Sequence, residues 1–247
     1  MTTLLTHGWR LLLSALTLWL SNAGSAAEPF RITHNQPFPP LSELRNGKSE
    51  GLLIDVLRAA SARVGLELAF IGVSVDQMEQ TLKDGRADAF LSAMTPERMK
   101  LYDFSAPVMT TGGALFVRAP SSMPENLLTM SGKVVVTPRA GPLADLISRT
   151  APAVRLSLTT DYEQSLARVI DGSADAAALN FHAGTMIAAR LYPDQITTPR
   201  AMFQEIANAV AVPKGQQSEF LARLSRGLAA IREDNTWAEI NRRWIGQ

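Results

Sequence analysis

Short apolar runs and amphipathic segments alternate along most of the chain. The apolar runs predict strands at 30–34, 66–73, 87–92, 110–117, 133–137, 154–158, 174–179 and 206–212. The segments with helical spacing predict helices at 52–64, 75–83, 142–148, 161–170, 181–191, 216–232 and 237–244. Strands that alternate with helices in this way are typical of parallel sheets covered by helices, so the pattern predicts an α/β fold.

One motif occurs twice. Residues 83–98 read KDGRADAFLSAMTPER, and residues 170–180 read IDGSADAAALN. In both copies a helix is expected to end at the glycine, Gly85 or Gly172, and a buried strand follows. The duplication predicts two similar α/β lobes. The alternative is a pair of ordinary helix–strand units in which Arg98 is a surface charge.

The two motif strands place polar residues where a ligand is expected. Ligands of open α/β sheets bind beyond the carboxyl ends of the strands. That position holds Ser92, Met94, Thr95 and Arg98 after the first motif strand, and Asn180 after the second. These five residues are therefore candidates for ligand binding.

The order of the elements also predicts how the lobes are connected. We expect the chain to cross from one lobe to the other near the strand at 110–117 and to return near the strand at 206–212. The first lobe then comprises 28–113 and 208–247, and the second lobe comprises 114–207.

The first 27 residues have the composition of a secretory signal. Arg10 provides the positive start, residues 11–20 form an apolar core, and residues 21–27 are small. The core is too short to span a bilayer. We expect export, cleavage after Ala27 and a periplasmic location. The alternative is an uncleaved membrane anchor.

Composition and charge argue against several functions. The chain of 247 residues has 24 Lys and Arg against 23 Asp and Glu, and removing Arg10 with the signal balances the two. This balance argues against a nucleic-acid partner. There is no Cys, so disulfides and thiolate metal sites are excluded. We find no common hydrolase, zinc or nucleotide motif, and we expect a monomer without catalytic residues, cofactor or metal.

Several short motifs occur in the order and spacing of a known family. They are FPPL at 38–41, GLLID at 51–55, KDGRADA at 83–89, TPER at 95–98, YDFSAP at 102–107, GSADA at 172–176, AVAVPK at 209–214 and WAEINRRWIG at 237–246. Together they resemble the extracellular solute-binding proteins of family 3, the periplasmic receptors of polar amino-acid ABC transporters. The resemblance implies a two-lobed periplasmic-binding-protein fold of type II. In that fold each lobe is a mostly parallel sheet flanked by helices, and two crossover strands form the hinge.

The resemblance also implies roles for individual residues. Arg98 matches the arginine that clamps the ligand carboxylate, which a planar guanidinium can do with two parallel hydrogen bonds. Ser92 or Thr95 can add a hydroxyl donor. Gly141 stands at the helix start whose amides face the anion, although Pro142 after it has no N–H.

Other positions depart from the family pattern. Phe38 is the expected aromatic wall, and Leu52 stands where a second aromatic residue is common. Asn35 and Asn180 stand where carboxylates usually hold the ligand ammonium. Arg139 is expected near the cleft.

These departures suggest a ligand that is not an ordinary amino acid. A buried ammonium without a carboxylate partner is costly. The hypothesis is a small carboxylate or another anion without an α-ammonium, held between Arg98 and Arg139. The alternative is that the Asn35 and Asn180 amides and backbone carbonyls still hold an ammonium.

The expected function is capture of this ligand between the lobes and delivery to the permease of an ABC transporter. A ligand-binding accessory of a periplasmic dehydrogenase, or a sensory module, is an alternative. A periplasmic enzyme resembling cyclohexadienyl dehydratase is disfavoured because dehydration needs a general acid or base. Neither Asn35 nor Asn180 can provide one.

Overall fold

The computed structural model describes residues 28–245, so the predicted signal at 1–27 lies outside the described residues. The strands are β1 Phe30–Asn35, β2 Glu43–Arg45, β3 Lys48–Glu50, β4 Leu68–Val73, β5 Ala89–Ala93, β6 Tyr102–Phe104, β7 Met109–Arg118, β8 Val134–Pro138, β9 Arg155–Thr159, β10 Ala176–Asn180, β11 Ile196–Thr197 and β12 Gln204–Pro213. The helices are α1 Leu52–Arg63, α2 Met78–Lys83, α3 Pro96–Leu101, α4 Pro142–Thr150, α5 Tyr162–Ile170, α6 Phe181–Leu191, α7 Ser218–Glu233 and α8 Thr236–Ile245.

One ten-stranded sheet runs through the molecule in the order β4-β1-β5-β12-β7-β10-β8-β9, with β6 beside β12 and β11 beside β7. Strands β4, β1 and β5 are parallel to one another, as are β9, β8 and β10. Strands β7 and β12 are antiparallel to each other and to these neighbours. The sheet therefore has two parallel halves, called here lobe 1 and lobe 2, and the predicted two-lobed α/β fold is confirmed.

Each lobe has its own hydrophobic core. In lobe 1, side chains of β1, β5 and β12 pack with those of α1, α7 and α8. In lobe 2, two clusters cover the two faces of the sheet: one contains residues of α5 and α6, and the other contains residues of α4. Apolar strand residues are thus covered on both faces, as a parallel sheet requires.

The duplicated motif has the same structural role in both lobes. Asp88 accepts a hydrogen bond from the backbone amide of Arg31 at 2.8 Å, and Asp175 accepts one from the amide of Val134 at 2.7 Å. Each aspartate thereby ties its motif to the start of the adjacent parallel strand, β1 or β8. Asp88 also takes two hydrogen bonds from the Arg31 guanidinium, at 2.8 and 3.1 Å.

The motif glycines also have the predicted backbone. Gly85 has a φ of 69° and Gly172 a φ of 81°, both in the left-handed region. This region costs little for glycine and much for residues with a Cβ. The prediction that a helix ends at each glycine is confirmed.

Several short elements were not predicted. They include the hairpin of β2 and β3, the six-residue helix α3, the two-residue strand β11 and a 3-10 helix at Leu127–Met130. In addition, the predicted helix at 75–83 begins as a 3-10 turn over Val75–Gln77. Elements this short contain too few buried apolar residues to produce a periodic pattern in the sequence.

No helix within residues 28–245 has the length and apolar character needed to cross a membrane.

Replacing Asp88 with Ala should lower the free energy of unfolding at pH 7 by about 1–3 kcal/mol because charge-assisted hydrogen bonds are lost. The hydrogen bond from the Arg31 guanidinium holds the pKa of Asp88 below its usual range. The stabilisation is therefore present above the unfolded-state pKa of about 3.9 and is lost as the pH falls towards the lower folded-state pKa. Denaturant unfolding at pH 7 and at about pH 3 measures this difference.

Asp84→Ala is the matched control, since Asp84 belongs to the same motif but is exposed. We expect a change below about 0.5 kcal/mol. Equal stability of Asp88→Ala and the wild type at pH 7 would contradict the structural role of Asp88.

Candidate functional site

A cavity of about 120 Å³ lies between the lobes. The carboxyl ends of β1 and β5 in lobe 1 and of β8 and β10 in lobe 2 all border it. Its lining residues come from both lobes and from β7 and β12, and most are apolar: Asn35, Phe38, Ser42, Leu53, Val75, Met78, Leu91, Ser92, Ala93, Arg98, Thr111, Gly112, Thr137, Pro138, Gly141, Pro142, Leu143, Tyr162, Ala178, Asn180, Ile206 and Asn208. Six of the ten predicted ligand-binding residues are among them: Asn35, Phe38, Ser92, Arg98, Gly141 and Asn180.

Arg98 is the cationic residue of the cavity. It lies on α3, which begins directly after β5, and its side chain is 26% exposed. One terminal nitrogen donates to the hydroxyl of Ser92 at 2.9 Å. The Nε lies 3.9 Å from a carboxylate oxygen of Glu79, which is not a lining residue. Ser92 and Glu79 thus orient a guanidinium that borders the cavity.

Asn180 is held at both ends of its amide. Its Oδ1 accepts from the backbone N–H of Ala183 at 3.1 Å and so caps α6. Its Nδ2 donates to the hydroxyl of Thr111 on β7 at 2.9 Å. Its backbone N–H donates to the hydroxyl of Tyr162 at 3.2 Å. Asn180 therefore organises two further cavity residues, Thr111 and Tyr162.

The backbone carbonyl of Asn35 is also fully used. It accepts from the Ser42 hydroxyl at 2.7 Å and from Nδ1 of His34 at 3.1 Å. The other ring nitrogen of His34 lies 2.7 Å from the hydroxyl of Ser49. Burial lowers the pKa of His34, so this buried imidazole is neutral at pH 7, and it links the end of β1 to β3.

Two aromatic rings meet across the cleft. Phe38 of lobe 1 and Tyr162 of lobe 2 pack edge to face, with ring centroids 6.1 Å apart. Burial raises the pKa of the Tyr162 hydroxyl, so it stays protonated at neutral pH. Phe38 therefore lines the cavity together with an aromatic partner from the opposite lobe.

Four predicted residues lie outside the cavity lining. Leu52 is fully buried in the core of lobe 1, and its neighbour Leu53 borders the cavity instead. The two residues differ because successive side chains at the start of α1 point in different directions. Met94 is half-buried, and its backbone amide bonds to Ala207.

The remaining two are Thr95 and Arg139. The Thr95 hydroxyl accepts from the amide of Arg98 at 3.3 Å and caps α3, and Thr95 does not line the cavity. Arg139 is exposed. Its backbone continues the pairing of β8 with β9 through a hydrogen bond to Thr159 at 3.0 Å, and this places the residue at the rim of the sheet. The expectation of a second guanidinium in the cleft is not supported.

Sequence reasoning missed five polar cavity residues: Ser42, Thr111, Thr137, Tyr162 and Asn208. Thr111 and Asn208 lie on the crossing strands β7 and β12, and both strands were predicted. A strand that crosses between the lobes must pass the cleft, so its polar residues could have been predicted to line the cavity. Tyr162 begins α5 and reaches the cleft only through the packing of α5 against β10, which no local pattern reveals.

One ion pair links the lobes outside the cavity. Arg149 on α4 donates to Glu97 on α3 at 2.7 Å, and both side chains are half exposed. This contact and the Phe38–Tyr162 pair both join lobe 1 to lobe 2.

Within residues 28–245, no group of three or more His, Cys, Asp or Glu side chains is arranged to hold a metal ion.

Known proteins share this architecture. The chain is 24% identical to the ABC transporter arginine-binding protein 1 of Escherichia coli (strain K12) over 96% of this chain and 99% of that protein. A histidine kinase sensor domain with similarity to periplasmic binding proteins superposes with a TM-score of 0.79 at 25% identity, covering 89% of this chain and 96% of that one. An ancestral arginine-binding protein bound to glutamine superposes with a TM-score of 0.75 at 23% identity, covering 89% and 98%.

A family model matches almost the whole described chain. It covers residues 30–247 and is described as bacterial extracellular solute-binding proteins, family 3. The match agrees with the two-lobed sheet, the cleft at the strand ends and the resemblance found in the sequence. The chain therefore belongs to the bacterial extracellular solute-binding proteins of family 3.

Proposed function

We propose that this protein is a periplasmic receptor that captures a small carboxylate-bearing ligand between its lobes and delivers it to the permease of an ABC transporter. The observation that carries the proposal is Arg98. Its guanidinium borders the cavity and is oriented by Ser92, while no lining residue within 28–245 is a carboxylate. A guanidinium at a partly dehydrated site binds a carboxylate through charge-assisted, two-point hydrogen bonding.

The lobe boundaries proposed from the sequence are supported by the strand pairing. The first part of β7 pairs with β12 and the part after Gly113 pairs with β10. Strand β12 pairs with β7 up to Asn208 and with β5 from Asn208 onwards. The two strands change partners where the lobes join. This change of partners supports the proposal that the hinge lies near Gly113 and Asn208, between lobe 1 at 28–113 and 208–247 and lobe 2 at 114–207.

Ligand capture is a shift between open and closed arrangements of the lobes. A ligand that contacts both lobes favours the closed arrangement, since only there are both sets of contacts made. Arg98 supplies the contact from lobe 1, and Tyr162 and the start of α4 at Gly141 supply contacts from lobe 2. The Glu97–Arg149 ion pair adds a contact that needs no ligand.

Binding is not followed by chemistry in this proposal. The titratable residues of the cavity lining, within the described chain, are Arg98 and Tyr162. A Tyr whose pKa is raised is a poor base at neutral pH. Turnover of prephenate by the purified protein would contradict this part of the proposal and favour a dehydratase.

A sensory role is the second candidate, because a histidine kinase sensor domain shares the fold at a TM-score of 0.79. The same capture would then report the ligand rather than transport it. An accessory to a periplasmic dehydrogenase would also use the same cleft. Uptake of labelled ligand in a deletion strain separates these roles, since only a transport receptor is required for uptake.

Replacing Arg98 with Ala should weaken carboxylate binding by at least about 30-fold, because one partner of a partly buried charge pair is removed. The measurement is calorimetric titration of the wild type and the variant with a panel of amino acids and organic acids. Arg139→Ala is the matched control: it removes an exposed arginine outside the cavity lining, and we expect affinity to stay within about twofold of the wild type. Equal losses in both variants, or no loss in Arg98→Ala, would contradict the proposal.

Replacing Arg149 with Ala should weaken ligand binding by less than about fivefold, because an exposed ion pair stabilises the closed arrangement only modestly. The difference from the wild type should shrink at high salt. Arg190→Ala is the control, since Arg190 pairs with Glu163 inside lobe 2 at 2.9 Å. Tighter binding by Arg149→Ala would show that the ion pair does not favour the closed arrangement.

A further inference from the structure

We propose that the cleft is built for a small monoanion with an apolar body and without an ammonium group. This proposal rests on the receptor function above and deepens it. It follows from the charges, the hydrogen bonds and the walls of the cavity.

The fixed charge of the cavity favours a single negative charge on the ligand. Among the lining residues at 28–245, Arg98 is the one cationic side chain, and there is no Asp or Glu. Glu79 pairs with the Nε of Arg98 from outside the lining. Arg139 is exposed and is not a lining residue. A dicarboxylate would keep one carboxylate dehydrated without a cation, which is costly.

Two of the oxygen acceptors near the cavity that could compensate an ammonium already accept hydrogen bonds. Asn180 Oδ1 accepts from the amide of Ala183, and the Asn35 carbonyl accepts from Ser42 and His34. The side-chain amides of Asn35 and Asn208 also line the cavity, but they are neutral. An ammonium there would remain a dehydrated cation close to Arg98 with no anionic partner.

Two hydroxyl groups still have a hydrogen to donate. Tyr162 Oη accepts from the backbone N–H of Asn180, and Thr111 Oγ1 accepts from its Nδ2. Neither hydroxyl donates a hydrogen bond to another of the described residues, so its own hydrogen is free for an acceptor on the ligand. The cleft therefore offers two hydroxyl donors to the oxygen atoms of a bound carboxylate.

The remaining walls are apolar. Leu53, Leu91, Met78 and Leu143 are at most 7% exposed and line the cavity. A cavity of about 120 Å³ is smaller than the roughly 300–1,000 Å³ of drug-sized ligand pockets. The carbon skeleton of the ligand is therefore short or a single ring.

The test compares molecules that share a carbon skeleton. The full mature protein is titrated calorimetrically with propanoate and alanine, with 4-methylpentanoate, 4-methyl-2-oxopentanoate and leucine, with 3-phenylpropanoate and phenylalanine, and with glutarate and glutamate. We expect at least one monocarboxylate to bind at least about 30-fold more tightly than the amino acid of the same skeleton, and more tightly than glutarate.

Asn180→Asp supplies a second readout. The substitution keeps an oxygen to cap α6 and adds a carboxylate to the cavity. It should change the ratio of the affinity for the monocarboxylate to the affinity for the amino acid of the same skeleton by about 10-fold or more, in favour of the amino acid. Asn126→Asp is the matched control, because Asn126 is also an N-cap in lobe 2 but is exposed and outside the lining. It should leave the ratio unchanged.

The outcomes separate this inference from the receptor function. If an amino acid binds as tightly as its deaminated analogue in the wild type, the inference is overturned and the receptor function stands. Tighter binding of glutarate also overturns the inference. If no probe binds in the wild type, both the inference and the proposed carboxylate receptor are overturned.

Discussion

The guanidinium of Arg98 sets the electrostatic character of the cleft. It lies at the carboxyl end of β5, where the chain turns from a buried strand into α3, and Ser92 at the end of that strand orients it. A charge so close to apolar walls is only partly hydrated. A bound anion replaces the stabilisation of the guanidinium that full hydration would provide. The function proposed for this protein depends on that one interaction more than on any other contact in the cavity.

Different residues of the duplicated motif stabilise the sheet and line the cavity. The aspartates, Asp88 and Asp175, fasten each motif to the neighbouring strand. Strands β5 and β10 run in opposite directions, since each step from β5 through β12 and β7 to β10 is antiparallel. The residues that follow them, Arg98 and Asn180, line the same cavity from the two lobes. Because β7 and β12 connect the two halves directly, the strand ends of both lobes meet at one cleft. Two copies of one simple unit thus create a site with different chemistry on its two walls.

Much of this could be predicted from the sequence, and the rest could not for identifiable physical reasons. The long strands and helices follow from periodic burial, and Gly85 and Gly172 follow from backbone conformation. The position of Arg98 beside the cavity is predictable because ligands of open α/β sheets bind beyond the carboxyl ends of the strands. The orientation of Leu52 and Leu53 at the start of α1 depends on a single residue step, which sequence spacing does not resolve. Arg139 follows a strand end as Arg98 does, yet the continued pairing with β9 places it in solvent.

The most direct test of the central claim is a crystal structure of the protein purified without refolding and soaked with 4-methylpentanoate. The account predicts density between the lobes with a carboxylate within hydrogen-bond distance of the Arg98 guanidinium. A ligand bound with its anionic group elsewhere, or an Arg98 side chain turned into solvent while the cleft is occupied, would contradict it.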